Sequence, residues 1–421
     1  MNLQTSAPLA TSLIAFCIYT TTFPAYRMSL RWLRLVLAFP ITALTFAAAY
    51  PPNLPEQSQP GAYIQTFIFS NYLFMRAMDC CIVGFWDGDG GRQAVPRWQK
   101  RAVKKDGGDS DDKTKFSKLP LPTTWQGRLA YTLDSLISFR GSSVFRDCSW
   151  DWAPRAIREY HSSSRAAYFR TALGNLLFAY CILDIVESIM VNHRWNLTTP
   201  YPVTSLPILQ QIFFTPLQAV FTFTGNIFAF EQPWGMILVI MFRLPPNSCP
   251  PLHLFNPLTA ESLAELWGSK WHTLWRRTFD RMSLPAVWAM ERLGGDRPFS
   301  IRTIKFVRAF VIFGLSALLH IGVTFTVPGS PPAGRSAANL AWVVIFFLAQ
   351  PFGMLFENMV VHPLTETLPG RWKGLIRRAF MWAWMIWTGR WIANWFVLLS
   401  GFQRRSIDFS LVALVLEKLG Y

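Results

Sequence analysis

Apolar runs of about twenty residues recur along this chain, and no other feature constrains its folding more. Wound as an α-helix, a run of that length matches the ~30 Å hydrocarbon core of a bilayer. Inside lipid, only helices and closed barrels satisfy their own backbone groups. Windows of about 19 residues place such runs near 9–26, 35–50, 63–86, 168–191, 207–230, 305–327, 339–361 and 379–400. The expected fold is therefore all-α: a polytopic transmembrane helical bundle of about eight spans, with a range of about seven to ten, around a chamber. Segment 233–242 is too short to cross alone, and 408–418 reads as a surface or re-entrant helix. Composition agrees, with 51% apolar residues and 15% charged ones, where soluble domains carry about a quarter charged.

The formal net charge of +16 does not imply nucleic acid, because the cations lie between apolar runs rather than in one basic face or tail. Arg27, Arg31 and Arg34 follow the first run, the 87–167 loop the third, the 243–304 loop the fifth, and Arg371, Lys373, Arg377 and Arg378 the seventh. Every second loop is basic, which places these loops in the cytosol and the N-terminus opposite. The first run lacks a basic leader and a small-residue cleavage site, so it reads as a retained span. Asn196 in "NLT" then falls in a lumenal loop as a glycosylation acceptor, consistent with residence in the endoplasmic reticulum. Cys17, Cys80, Cys81, Cys148, Cys181 and Cys249 show no C-x-x-C spacing and read as packing residues, not as a disulfide framework or a zinc site.

Three regions follow: N-terminal spans over 1–86, a flexible cytosolic linker over 87–130 rich in Gly, Asp and Lys, and a core over 131–421. The "DGDGG" that opens the linker lacks the Gly and Glu of a calcium loop, since Arg92 and Trp98 stand at its sixth and twelfth positions. In "ESLAELWGSKWHTLWRRTF" a helix is expected with Thr259 as its cap. Leu263, Leu266, Trp267, Trp271, Leu274 and Trp275 form an apolar stripe, and Lys270, Arg277 and Arg281 share another face. Such a helix lies in the membrane interface, but His272 belongs to neither face.

A second histidine stands out. His320 in "GLSALLH" lies about fifteen residues into its span, ~22 Å along the helix, where an ionisable group is costly and marks a site by default. A neutral buried imidazole is a good general base. Ser316, one turn before it, lacks the second glycine of a nucleophile elbow. No H-E-x-x-H or H-x-x-x-D occurs, so no catalytic metal is expected.

These residues carry a resemblance. "LWGSKWHTLWRR" followed by an intramembrane "GLSALLH" resembles the wax synthase branch of the membrane-bound O-acyltransferase family, and "SFRGSSVFRDCSWDW" from Ser138 is similar to that family's Arg-Gly motif ending in Trp-x-Trp. Motif order fits over roughly 120–400, and the likeness is greatest to fungal acetyltransferases that decorate terpenoids and meroterpenoids. The resemblance implies an acyl-CoA-dependent O-acetyltransferase that moves an acetyl group from acetyl-CoA, a co-substrate rather than a bound cofactor, to a hydroxyl of a lipophilic acceptor. It implies His320 and His272 as catalytic residues. Trp267, Lys270, Trp271, Arg276, Arg277 and Ser316 would then contact substrates. The chain departs from the pattern at Leu266, Ser269 and Ile321, where the family favours phenylalanine, a second cation and an acid. A long-chain alcohol is the alternative acceptor. A polytopic transporter using Asp184, Glu187 and Glu357 is the rival from another class, although no inverted repeat supports it.

Overall fold

A computed structural model describes residues 3–23, 27–49, 60–86, 95–101, 116–138, 140–160, 162–192, 202–221, 229–251, 256–271, 275–326, 335–398 and 410–418. Its helices divide between two compact units. The first comprises Met1–Tyr168, Gly235–Pro250 and His272–Leu293, and the second Phe169–Trp234, Pro251–Trp271 and Gly294–Tyr421.

The first unit begins with α1 (Leu3–Thr20), α2 (Arg27–Ala49) and α3 (Pro60–Ala77), the last continuing through a π-helical turn, Met78–Val83, and Gly84–Trp86. Ala10, Ile14 and Cys17 recur on one face of α1 and pack with Ala38 and Ile41 of α2 and Leu73 of α3, the small side chains letting the backbones approach closely. Strands β1 (Trp98–Arg101), β2 (Phe116–Lys118) and β3 (Ser149–Trp150) form an antiparallel sheet in the order β2-β1-β3. Gln99 stands opposite both Lys118 and Ser149.

Helix α4 (Trp125–Ile137) follows β2 and is capped by Thr124, whose Oγ1 accepts from the Gly127 N–H at 3.2 Å. Its Tyr131 ring meets Trp98 and Trp150 edge-on, at 5.4 and 5.1 Å between centroids. Asp134, buried beneath them, accepts from Trp98 Nε1 at 2.6 Å, from the Val144 N–H at 2.5 Å and from Ser138 Oγ at 3.2 Å. The Arg-Gly and Trp-x-Trp stretch is built into this knot. Gly141 has φ +92°, and a Cβ there would meet Ala153 Cβ at 2.6 Å, so both backbone conformation and space call for glycine. Of the expected linker, 87–94 and 102–115 lie outside the described residues, while β1, β2 and the start of α4 occupy its other parts.

The second unit holds α5 (Arg165–Asn192) from Phe169 on, α6 (Ile208–Phe221), α7 (Ile301–Thr326), α8 (Ala337–Phe356), α9 (Gly370–Leu398) and α10 (Leu411–Lys418). A π-helical turn, Glu357–Val361, prolongs α8 into His362–Glu366. Leu183 and Val186 of α5, Phe214 of α6, and Ala393 and Val397 of α9 form one core cluster. Asp184, 2% exposed, accepts from Ser410 Oγ at 2.5 Å and from the Val412 N–H at 2.9 Å, and so holds the first turn of α10.

Among the described residues, four helices are long and apolar enough to cross a membrane: Leu30–Ala49, Arg165–Ile189, Ile301–Phe325 and Ala337–Glu366. They coincide with the second, fourth, sixth and seventh runs expected from the sequence and point to a membrane protein. The remaining expected runs overlap α1, α3, α6 and α9.

Candidate active site

His320 sits on α7 in the second unit. Its Nδ1 lies 2.8 Å from the Ser316 carbonyl oxygen, one turn earlier. A carbonyl oxygen can only accept, so Nδ1 carries the proton and donates it, and Nε2 of the neutral ring is left with its lone pair. The ring is flanked by Phe347 of α8 at 4.6 Å and Trp395 of α9 at 5.5 Å between centroids. Trp395 is itself held, its Nε1 donating to Thr324 Oγ1 at 2.7 Å. An imidazole with a fixed tautomer, an oriented ring and an available acceptor atom is what proton abstraction requires.

The tryptophan-rich motif lies in the same unit as far as Trp271. The expected continuous helix capped by Thr259 is corrected by the structure. Asn256–Thr259 is a 3-10 turn, and Ser262 is the cap, its Oγ accepting from the Glu265 N–H at 3.0 Å. Leu263–Glu265 is α-helical, Leu266–Lys270 is a π-helical turn, and a bend follows at Trp271. The start is set from α8's extension. Both oxygens of Glu357, 0% exposed, accept from the Leu263 N–H at 2.9 and 3.3 Å, which fixes the first helical donor three residues later than periodicity implies. Gly353 lets this contact close, since a Cβ there would lie 2.5 Å from the Trp384 ring and 2.8 Å from Leu263 Cδ1.

Trp267 packs within the unit. Its Nε1 donates to Gln350 Oε1 at 3.3 Å, and its ring meets Phe313 of α7 at 5.5 Å, Phe346 of α8 at 6.2 Å and Trp271 at 5.8 Å. Phe346 touches Phe347 at 4.9 Å, and Phe347 touches His320. A chain of rings thus joins the two motifs that the sequence separates by some fifty residues. Lys270 is 3.6 Å from Glu265. Ser316 contributes its backbone carbonyl to His320.

The other motif cations lie in the first unit, on the short helix Arg276–Met282. Arg276 stands 4.0 Å from Asp280. Arg277 donates to Asp79 Oδ2 from Nη2 at 2.9 Å and from Nε at 3.2 Å, Arg281 reaches Oδ1 at 2.7 Å, and Arg76 reaches Oδ2 at 3.0 Å. Three guanidiniums meet on one carboxylate that is 4% exposed. Burial pulls the Arg277 guanidinium below its ordinary range, and Asp79 works in the opposite direction.

His272 and Asn196 lie outside the described residues. Sequence reasoning missed Gln350, Phe347 and Trp395. The aromatic stretch 380–396 holds Trp395, and along the chain it suits either a bulky polycyclic ligand or, more readily, an interfacial belt. The structure divides it, with Trp395 3% exposed against His320 and Trp387 55% exposed. Aromatic content marked the stretch, but only α9's packing tells the two faces apart.

Residues 249–349 match the model of the Membrane bound O-acyl transferase family. The match spans roughly a quarter of the chain and contains Ser262, Trp267, Lys270, Trp271, Ser316 and His320. It supports that family and, with it, a membrane-bound O-acyltransferase with an acyl donor and a lipid-like acceptor. No curated protein and no solved structure matches the chain.

Proposed function

We propose that this protein transfers an acetyl group from acetyl-CoA to a hydroxyl of a bulky lipophilic acceptor, a terpenoid or meroterpenoid, within the endoplasmic reticulum membrane. The observation that carries the reading is the Nδ1–H of His320 committed to the Ser316 carbonyl, which leaves Nε2 as the base. Nε2 takes the proton of the acceptor hydroxyl as its oxygen attacks the thioester carbonyl. The C–S bond then breaks, the coenzyme leaves as its thiolate, and the imidazolium returns the proton to that sulfur. No acyl-enzyme forms. Trp271 or His272 donates to the oxyanion, and exclusion of water protects the thioester from hydrolysis.

Lys270 attracts the phosphates of the coenzyme. Arg276 and Arg277 were expected in the same part, but Arg277 is already tied to Asp79, which favours a structural role for it. Phe347 and Trp395 beside His320 give it apolar surroundings that suit a lipophilic acceptor. The transporter reading loses support. Asp184 accepts from the Ser410 hydroxyl and the Val412 N–H, and Glu357 from the Leu263 N–H, so both carboxylates are occupied at helix starts.

The test supplies membranes carrying the full chain with labelled acetyl-CoA and a panel of hydroxylated terpenoids and long-chain alcohols. Label should move to a terpenoid hydroxyl. Label moving only to the alcohols would make the protein a wax-ester synthase, and no transfer to any acceptor by folded protein would remove the reaction class.

A further inference from the structure

Spacing along the chain gives the cysteines no common purpose, but the fold of the first unit brings three of them together. Cys17 Sγ on α1 lies 3.6 Å from Cys81 Sγ, and Cys81 Sγ lies 3.6 Å from Cys80 Sγ. All three sulfurs fall within 4.8 Å of one another. Cys80 and Cys81 belong to the π-helical turn Met78–Val83. In a regular α-helix, consecutive side chains diverge by about 100°. The wider π turn reduces that divergence, and such turns recur at functional sites.

We propose that Cys17, Cys80 and Cys81 bind one soft d10 cation, zinc(II) or copper(I), as three thiolates. The proposal is independent of the acyl-transfer reading. At a metal–sulfur distance of about 2.3 Å, ligand sulfurs stand about 3.8 Å apart in a tetrahedron and about 4.0 Å apart in a trigonal plane. Two separations of 3.6 Å lie just below these values and the third falls within 4.8 Å, so small shifts complete the site around a single ion.

A disulfide fits less well. Three sulfurs leave one over, and adjacent Cα atoms about 3.8 Å apart are closer than a relaxed disulfide allows. The surroundings suit thiolates. Cys80, Arg34 and Arg76 line one cavity of about 40 Å³. Nearby guanidiniums favour the ionised sulfur and offset the net negative charge of three thiolates on a divalent or monovalent ion. A cavity of that size admits a few waters, one of which is the fourth ligand for zinc. Among the described residues no histidine or carboxylate joins the three sulfurs. Thiolate ligands select zinc and copper(I) over hard cations.

The experiment uses the purified full chain in detergent, loaded separately with zinc(II), copper(I) and magnesium(II), dialysed, and assayed for metal per chain. One zinc or one copper should be retained and no magnesium. X-ray absorption should show three sulfurs at about 2.3 Å. Cys17→Ser and Cys81→Ser should each abolish retention, whereas Cys181→Ser, at an exposed thiol, should not. Because the serine variants could fail to fold, alkylation of the wild-type chain gives a second readout: bound metal should protect Cys17, Cys80 and Cys81 together. No retained metal, retention that survives both serine substitutions, or a Cys17–Cys81 disulfide in the isolated protein would each overturn the proposal.

Discussion

Two ionisable groups, the buried Asp79 of one unit and the half-buried His320 of the other, have opposite accounts. Asp79 in the first unit meets three arginines and is consumed by them. Among the described residues, His320 in the second unit makes one polar contact through its ring, to a carbonyl oxygen, and keeps Nε2 for another partner. A buried carboxylate among guanidiniums costs a great deal to break and gives little chemistry, because its lone pairs are occupied. A half-buried imidazole with one nitrogen anchored is cheap to hold and keeps its basic atom in reserve. Burial of a charge-bearing group is therefore not itself the mark of a site. The mark is hydrogen-bonding capacity left over.

The largest expected effect is at His320. Its replacement by alanine should lower transfer by about 10²- to 10⁴-fold while expression and melting temperature stay near those of the wild type, measured by turnover in membranes and by thermal shift in detergent. Asp79→Ala should do the reverse. It strands three guanidiniums and should cost about 3–5 kcal/mol of stability, read as loss of folded protein, with the specific activity of the surviving fraction preserved. If Asp79→Ala instead abolishes turnover in well-folded protein, the contrast between the two groups fails.

Gln350→Ala should cost about 1–3 kcal/mol by leaving the Trp267 indole N–H without its acceptor. It should also lower turnover more than stability accounts for, because Trp267 belongs to the ring chain that reaches His320; kcat and melting temperature measured together separate the two effects. The smallest change is expected from Asp184→Asn, about 1 kcal/mol, with transfer intact. A complete loss of function there in folded protein would revive the transporter reading.

Much of this was legible along the chain, and its limits have physical causes. The apolar runs and His320 show because a bilayer imposes a length and makes an internal histidine conspicuous. Trp267 stands out along the chain, but its partners do not. An apolar stripe is the same whether it faces lipid or α8, and only the pairing of Glu357 with Leu263 and of Gln350 with Trp267 tells them apart. The arginine knot could not be seen, since Arg277 and Asp79 are 198 residues apart. The strands β1 and β2 span four and three residues of mixed polarity, too short for alternation to register. The cysteine cluster escaped for the same reason as the knot, since Cys17 lies 64 residues before Cys81 and its neighbour Cys80.

The most direct measurement is turnover by His320→Ala with and without added imidazole, in membranes holding equal amounts of folded protein. If Nε2 of His320 is the base, the variant is nearly inactive and free imidazole restores part of its rate without changing that of the wild type. A variant that transfers the acyl group at the wild-type rate would contradict the account, whatever the identity of the acceptor.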